Sequence, residues 1–200
     1  MPEISLTDFV DFVVKSGTPK LTKVRQLKER GDYDPAADFW RTLREGIISF
    51  QQAGGNDKRQ LDRIRDGLTD RKKIARYPLA IKGYKRFLGR KQITWFDPPR
   101  QSWESGELTV RVNPELGLVI NSTRYAIKLY FKDDKLEKRK VAVVLAMMEE
   151  ALRANLQPSD QLAILDVSSS KFFPSSGSQA SIAPLLAGEA ASFVAIWNNI

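Results

Sequence analysis

No cysteine and no histidine occur among the 200 residues of the chain, and these two absences exclude a good deal of chemistry. Without thiols there is no disulfide framework, no cysteine nucleophile and no Cys/His zinc site. Without imidazole there is no Ser-His-Asp triad and no histidine general base. Reaction chemistry is left to carboxylates, Lys, Tyr or Ser, with a hard ion such as Mg²⁺ on oxygen ligands as the remaining metal option. Long apolar runs are missing too. None reaches the ~18 residues that a membrane span requires, and the longest, Val141 to Met148, reads as one side of a helix. The amino terminus, Met1-Pro2-Glu3-Ile4-Ser5, has no basic segment followed by an apolar one, so no signal peptide is read there. A cytoplasmic protein without membrane contact is the expectation.

What is present is a globular composition, 42% hydrophobic and 28% charged. Helix signals dominate the first half. Ser5 and Asp8 read as a cap and acidic first turn ahead of Leu6, Phe9, Val10 and Val13, with Gly17 as the stop. A short helical turn is expected around Val24 and Leu27. Asp34-Pro35 opens a helix whose stripe is Phe39, Trp40, Leu43, Ile47 and Phe50, ended by Gly54-Gly55. Asp57 starts an amphipathic stretch through Leu61, Ile64 and Leu68, continued by Ile74. Pro78 is expected to break or kink the helix at Tyr77, with a new one carrying Ile81, Tyr84 and Leu88 to Gly89. Ile93 to Gly106 reads as a connection.

After Gly106 the apolar period becomes two. Leu108, Val110 and Val112, then Leu118 and Ile120, then Tyr125, Ile127, Leu129 and Phe131 predict a three-stranded antiparallel meander. A helix from Lys135 to Arg153, a strand from Leu162 to Val167, a serine-rich loop over 168–178 and a final helix with Ile182, Leu185, Leu186, Phe193, Val194 and Trp197 complete the chain. The expected class is α+β: a helical N-terminal half (1–92), a connection (93–106) and an α+β core (107–200), packed as one compact domain or two small ones. Trp40, Trp95, Trp103 and Trp197 read as packing anchors. Ser168-Ser169-Ser170-Lys171 reads as loop, not as a Ser/Lys catalytic pair.

Charge is unevenly spread. Residues 58–91 hold thirteen Lys and Arg against Asp62, Asp66 and Asp70, a net of +10, whereas the whole chain carries +8, so the rest sums to −2. From Arg71 to Lys91 no acidic residue occurs. Lys72, Lys73, Arg76, Lys82, Lys85, Arg86, Arg90 and Lys91 therefore form a candidate phosphate-contacting patch. Tyr77, Tyr84 and Phe87 lie among them as candidate stacking rings, with Tyr84 also in the apolar stripe. The competing readings are a solvated face paired locally with Asp, and a dock for an acidic protein. Arg111, Arg124, Lys128 and Lys132, on the outward side of the expected strands, are candidates to extend the patch. No helix-turn-helix or RNA-binding aromatic motif is present to assign DNA or RNA.

The strand-strand-strand-helix-strand order over roughly 107–167, with Pro114-Glu115 and Ala126-Ile127-Lys128, resembles the core of the PD-(D/E)xK, or restriction endonuclease-like, superfamily. That resemblance implies an acid near the second strand and a (D/E)xK triplet on the third, holding a divalent metal. Glu115 and Lys128 would be the catalytic residues and Mg²⁺ the cofactor; outside that alternative no catalytic residue, cofactor or metal site is assigned. Ala126 stands where the second acidic ligand belongs, which points to a binding-only version. The leading expectation is a non-enzymatic nucleic-acid-associated protein, a component of a larger assembly. A metal-dependent nuclease and an adaptor for an acidic protein are the alternatives.

Overall fold

A computed structural model describes residues 1–31, 38–132, 136–175 and 182–200. The architecture is α+β with a C-terminal helix. The described elements are β1 (Glu3–Ser5), α1 (Leu6–Val13), α2 (Thr18–Lys28), α3 (Arg41–Gln52), a 3₁₀ segment (Lys58–Arg65), α4 (Arg71–Leu88), β2 (Ile93–Phe96), β3 (Gln101–Ser105) and β4 (Leu108–Val112). They continue with β5 (Leu116–Ile120), β6 (Thr123–Tyr130), α5 (Lys138–Leu152), β7 (Gln161–Asp166), β8 (Lys171–Pro174) and α6 (Ala183–Asn198).

Local signals explain the ends of several elements. Ser5 caps α1, accepting from the Asp8 N–H at 3.1 Å while its hydroxyl donates back to the Asp8 carboxylate at 2.8 Å. Asp70 caps α4 through the N–H groups of Lys72 (2.7 Å) and Lys73 (3.3 Å). The Asp34-Pro35 start lies outside the described residues; α3 begins at Arg41, beside its stripe of Leu43, Ile47 and Phe50.

The turn expected around Val24 and Leu27 is the 11-residue α2, the loop expected over 168–178 contains β8, and four further expectations need correction. First, Pro78 does not break the helix: α4 runs unbroken from Arg71 to Leu88. A proline in a helix interior costs about 3 kcal/mol through a lost hydrogen bond and a ring clash with the carbonyl four residues back, and the continuous helix offsets this by burying Tyr77, Ala80, Ile81, Tyr84, Phe87 and Leu88 along one side. Second, Ile74 does not extend that stripe and is 51% exposed. Third, 93–106 is not a plain connection but supplies β2 and β3.

Fourth, β4, β5 and β6 are not one meander. β4 lies in a three-stranded sheet of order β1-β4-β3, parallel to β1 and antiparallel to β3. The meander exists, but its first strand is β2, in a five-stranded sheet of order β2-β5-β6-β7-β8. Only the β6–β7 pair in that sheet is parallel, with α5 as its crossover. Alternation marks which side of a strand is buried and says nothing about its neighbour. Leu108, Val110 and Val112 pack with Ile4 and Trp103, whereas Leu116, Leu118 and Ile120 pack against α4.

Two apolar cores result, and both draw on the two halves of the chain. One joins α3, the 3₁₀ segment and α4 to one face of the five-stranded sheet through Tyr125, Ile127, Leu129, Ala163 and Leu165. The other joins α1, α2, α5, α6 and the small sheet to the opposite face, where Ala126, Leu162 and Ile164 point. No helix of the described residues is long and apolar enough to cross a membrane.

Candidate nucleic-acid interface

Helix α4 lies on the five-stranded sheet through a glycine contact. A Cβ at Gly83 would sit 2.0 Å from the Val167 carbonyl oxygen and 2.7 Å from that of Ser168, so only glycine lets the helix approach the turn after β7. The opposite side of α4 faces solvent. Lys72, Arg76, Leu79, Lys82 and Arg86 recur there at three- and four-residue spacing, all exposed, over about 21 Å of helix. Lys72, Lys73, Lys82 and Arg90 have no carboxylate partner among the described residues. Lys85 does: its ammonium reaches Asp62 at 2.6 Å.

Tyr77, Tyr84 and Phe87 are not available to stack on a ligand, since each is at most 3% exposed. Burial pushes the Tyr84 phenol well above its ordinary range, opposed by the 2.8 Å hydrogen bond from the Gln51 amide. Tyr77 is shifted up too, by burial first, and its hydroxyl donates to the Phe39 carbonyl at 2.7 Å.

The other sequence-derived cations do not join this face. Lys128 and Arg124 share strand parity with Ala126, which puts them on the α5 side of the sheet, away from α4. Arg124 reaches Asp160 at 3.0 Å and lies over the Phe96 ring at 3.9 Å. Arg111, on β4 in the other sheet, sits 3.4 Å from Glu3. The structure therefore brings together Lys72, Lys73, Arg76, Lys82, Lys85, Arg86, Arg90 and Lys91 on and just after one helix, and separates Arg111, Arg124 and Lys128 from them.

Glu115 and Lys128 do meet. The ammonium donates to Glu115 Oε1 at 2.5 Å and to the Asn113 carbonyl at 3.2 Å, and Glu115 Oε2 accepts the Leu129 N–H at 2.7 Å. Both carboxylate oxygens are thus engaged, and the side chains are only 12% and 16% exposed. Ala126 is fully buried and supplies no oxygen. Mg²⁺ takes one or two carboxylates with water completing its shell, but both oxygens of Glu115 are already held by Lys128 and the Leu129 N–H, so the pair does not fit that ion.

Two depressions border α4. Near its N-terminal end, about 560 Å³ is lined by Phe39, Trp40, Arg71, Lys72, Ala75 and Arg76. At its C-terminal end, a cleft of about 520 Å³ opens between α4, the β5–β6 hairpin and the β7–β8 turn. Arg86 is fixed beside that cleft: its Nε donates to Ser170 Oγ at 2.8 Å and its Nη2 to the Ser169 carbonyl at 2.7 Å. The Ser170 hydroxyl in turn donates to the Gly83 carbonyl. Phe172 lies at the centre of the wall, 5.4 Å from the Phe87 ring and 5.2 Å from that of Tyr125. Lys91 lies over Phe87 and donates to its carbonyl. Its ammonium is shifted below the ordinary lysine value, by burial first and by the charge of Lys58 second.

The non-glycine residues with left-handed backbone, Asn121 (φ 48°), Ser122 (φ 75°) and Ser170 (φ 60°), all fall in the two turns that frame this cleft. The first pair forms the two-residue loop between β5 and β6, where right-handed strand twist favours positive φ at both positions. Sequence reasoning missed this cleft because Tyr125 reads as one more core position and Phe172-Phe173-Pro174 as loop. The signal that was present is the Gly83 inside an otherwise strong helix. No family model matches the chain, and no curated protein matches it.

Proposed function

We propose that this chain is a non-enzymatic nucleic-acid-binding protein that contacts phosphates through the exposed side of α4 and the residues following it, as a component of a larger assembly. One observation carries the reading. Arg71, Lys72 and Lys73 occupy the first turn of α4, and no acidic residue occurs in the first turn. A cation there opposes the helix dipole, at a cost of about 0.3–1 kcal/mol for each exposed charge. The Asp70 cap carboxylate beside them offsets one unit of this charge, and a polyanion would balance the rest. Further along, Lys82, Arg86 and Arg90 extend the same field without an acidic neighbour in sequence.

The test is affinity for DNA and RNA, single- and double-stranded, as a function of salt. Lys and Arg that displace condensed counterions from duplex DNA give a logarithmic slope of about −0.9 per phosphate, so four contacts give roughly −4. Absence of binding to every polymer at low salt overturns the reading.

A second reading has its own support. Ile74 and Leu79 are 51% and 59% exposed on the cationic helix, a mixture suited to an acidic protein partner with apolar anchors. It predicts binding of acidic protein with Ile74→Ser and Leu79→Ser as the damaging changes, and no nucleic-acid binding. The resemblance to the PD-(D/E)xK core is compatible with the first reading as a binding-only relative, the Glu115–Lys128 pair acting as a structural clip.

A further inference from the structure

We infer that the cleft at the C-terminal end of α4 receives one unpaired nucleotide of a single strand, its base against Tyr125 and Phe172 and its phosphate against Arg86 and Lys91. The inference rests on the phosphate-contacting reading of α4 and narrows the partner from nucleic acid in general to a strand with free bases.

Three features converge on that ligand. The first is ring surface. Phe87 is buried, whereas Tyr125 and Phe172, packed edge to face on each other at 5.2 Å, are only partly covered and line the cleft. A duplex hides its base faces and has no use for such a surface, but an unpaired base stacks on it whatever its identity. The second is oriented charge. Arg86 arrives with two donors already committed to Ser169 and Ser170, so little side-chain freedom is lost when the remaining guanidinium edge meets an anion.

Lys91 adds a second charge, crowded by Lys58, whose ammonium donates to the Gly89 carbonyl. A phosphate against Arg86 and Lys91, which both line the cleft, would balance this charge. The third feature is a polar rim: Asn121, Thr123, Ser169 and Ser170 offer amide and hydroxyl groups to base edges or sugar. The volume, about 520 Å³, falls within the roughly 300–1,000 Å³ range of small-ligand sites.

The experiment uses the full chain and measures anisotropy of labelled oligothymidine, oligodeoxyuridine, oligouridine and a duplex of equal length at low salt, with Tyr125→Leu and Phe172→Leu as variants. Each leucine keeps an apolar side chain but removes the flat face. The expected result is tighter binding of single strands than of duplex, with each variant weakening single-strand affinity roughly tenfold or more. The salt slope and duplex affinity should stay unchanged. Preference between deoxyuridine and uridine strands, which differ only in the 2′-hydroxyl, identifies the sugar. Thymidine monophosphate at the same nucleotide concentration should not displace the strand; full displacement would mark a free-nucleotide site and overturn the inference.

If a leucine variant melts early, the wild-type protein still decides. A 5-iodouracil strand should cross-link to Tyr125 or Phe172, and adducts confined to residues outside the cleft overturn the assignment. Equal affinity for duplex, with both variants binding as wild type, overturns this inference and leaves the α4 reading standing. Absence of binding to any polymer overturns both.

Discussion

The cations packed around α1 and α2 and those along α4 differ in what balances them. In the first region, Asp8 takes both arms of the Arg30 guanidinium at 2.9 Å and the Lys23 ammonium at 2.9 Å, Asp11 takes Lys132 at 2.5 Å, and Lys20 pairs with the buried Glu189. In the second, Lys85–Asp62 is the ion pair that involves α4 itself among those described. Both regions are basic in sequence, but in the first Lys20, Lys23, Arg30 and Lys132 are paired with carboxylates. On and just after α4, Lys72, Lys73, Lys82 and Arg90 have no carboxylate partner among the described residues, and charge of one sign is what a partner of opposite sign would read. If the contrast is sound, neutralising the first set damages folding, and neutralising the second damages binding.

The largest stability effect should come from Asp8→Asn. Burial alone would push the Asp8 carboxyl up, but hydrogen bonds from Arg30 and Lys23 outweigh it and hold the group well below the usual aspartate range. Removing one partner of a buried pair costs about 3–5 kcal/mol, and the low end, about 3 kcal/mol, applies because Arg30 is 51% exposed. The pH dependence has a definite sign. A depressed carboxylate contributes stability that is complete above its unfolded value of about 3.9 and is lost as pH falls below it. Urea unfolding at neutral pH should separate wild type from variant, and the gap should shrink on acidification. A gap that stays constant to low pH would break the assignment of Asp8 as the charged centre of the cluster.

A smaller effect is expected at Glu115→Gln, which leaves an amide to accept the Leu129 N–H but removes the counter-charge of Lys128. Loss of a charge-assisted hydrogen bond puts the cost at about 1–2 kcal/mol by denaturant titration. Nucleic-acid affinity should be unchanged, because the pair sits on the sheet face opposite α4. Cleavage of DNA or RNA in Mg²⁺ or Mn²⁺ that this substitution abolishes would instead return Glu115 and Lys128 to a catalytic role.

Much of this contrast was legible in the sequence, and the part that was not has a physical cause. The helix cap at Ser5, the strands from Leu108 to Tyr130 and the charge run on α4 all follow from local rules of period and capping. Strand partners do not: whether β5 meets β4 or β2 is decided by which core claims Leu108, Val110 and Val112, and that is a property of the whole fold. The same limit applies to Lys128. Its proximity to Glu115 is consistent with the spacing of the two strands, but which side of the sheet α4 covers requires the topology. Short strands such as β1 and β8, with three and four residues, carry too little pattern to stand out. The cleft is assembled from α4, a hairpin turn and the β7–β8 turn, so no window of sequence contains it.

The smallest stability effect should come from reversing charge on α4 itself, and this prediction sharpens the comparison most. Lys72, Lys82 and Arg90 are exposed and have no carboxylate partner among the described residues. Changing Lys82 or Arg90 to Glu should alter stability by no more than about 0.5 kcal/mol. Lys72→Glu should go further and stabilise the fold by about 0.5 kcal/mol, because it replaces a cation with an anion beside the positive end of the helix dipole. Binding should move the other way. The triple variant should lose most affinity for nucleic acid at low salt, and its salt slope should flatten by about 0.9 for each phosphate contact removed. A gain in stability joined to a loss of binding cannot arise from damage to the fold, and it is what a surface shaped for a polyanion requires. If the triple variant instead melts earlier than wild type, these cations are paired in solution and the distinction between the two regions fails. If it binds nucleic acid as well as wild type, the phosphates lie elsewhere on the molecule.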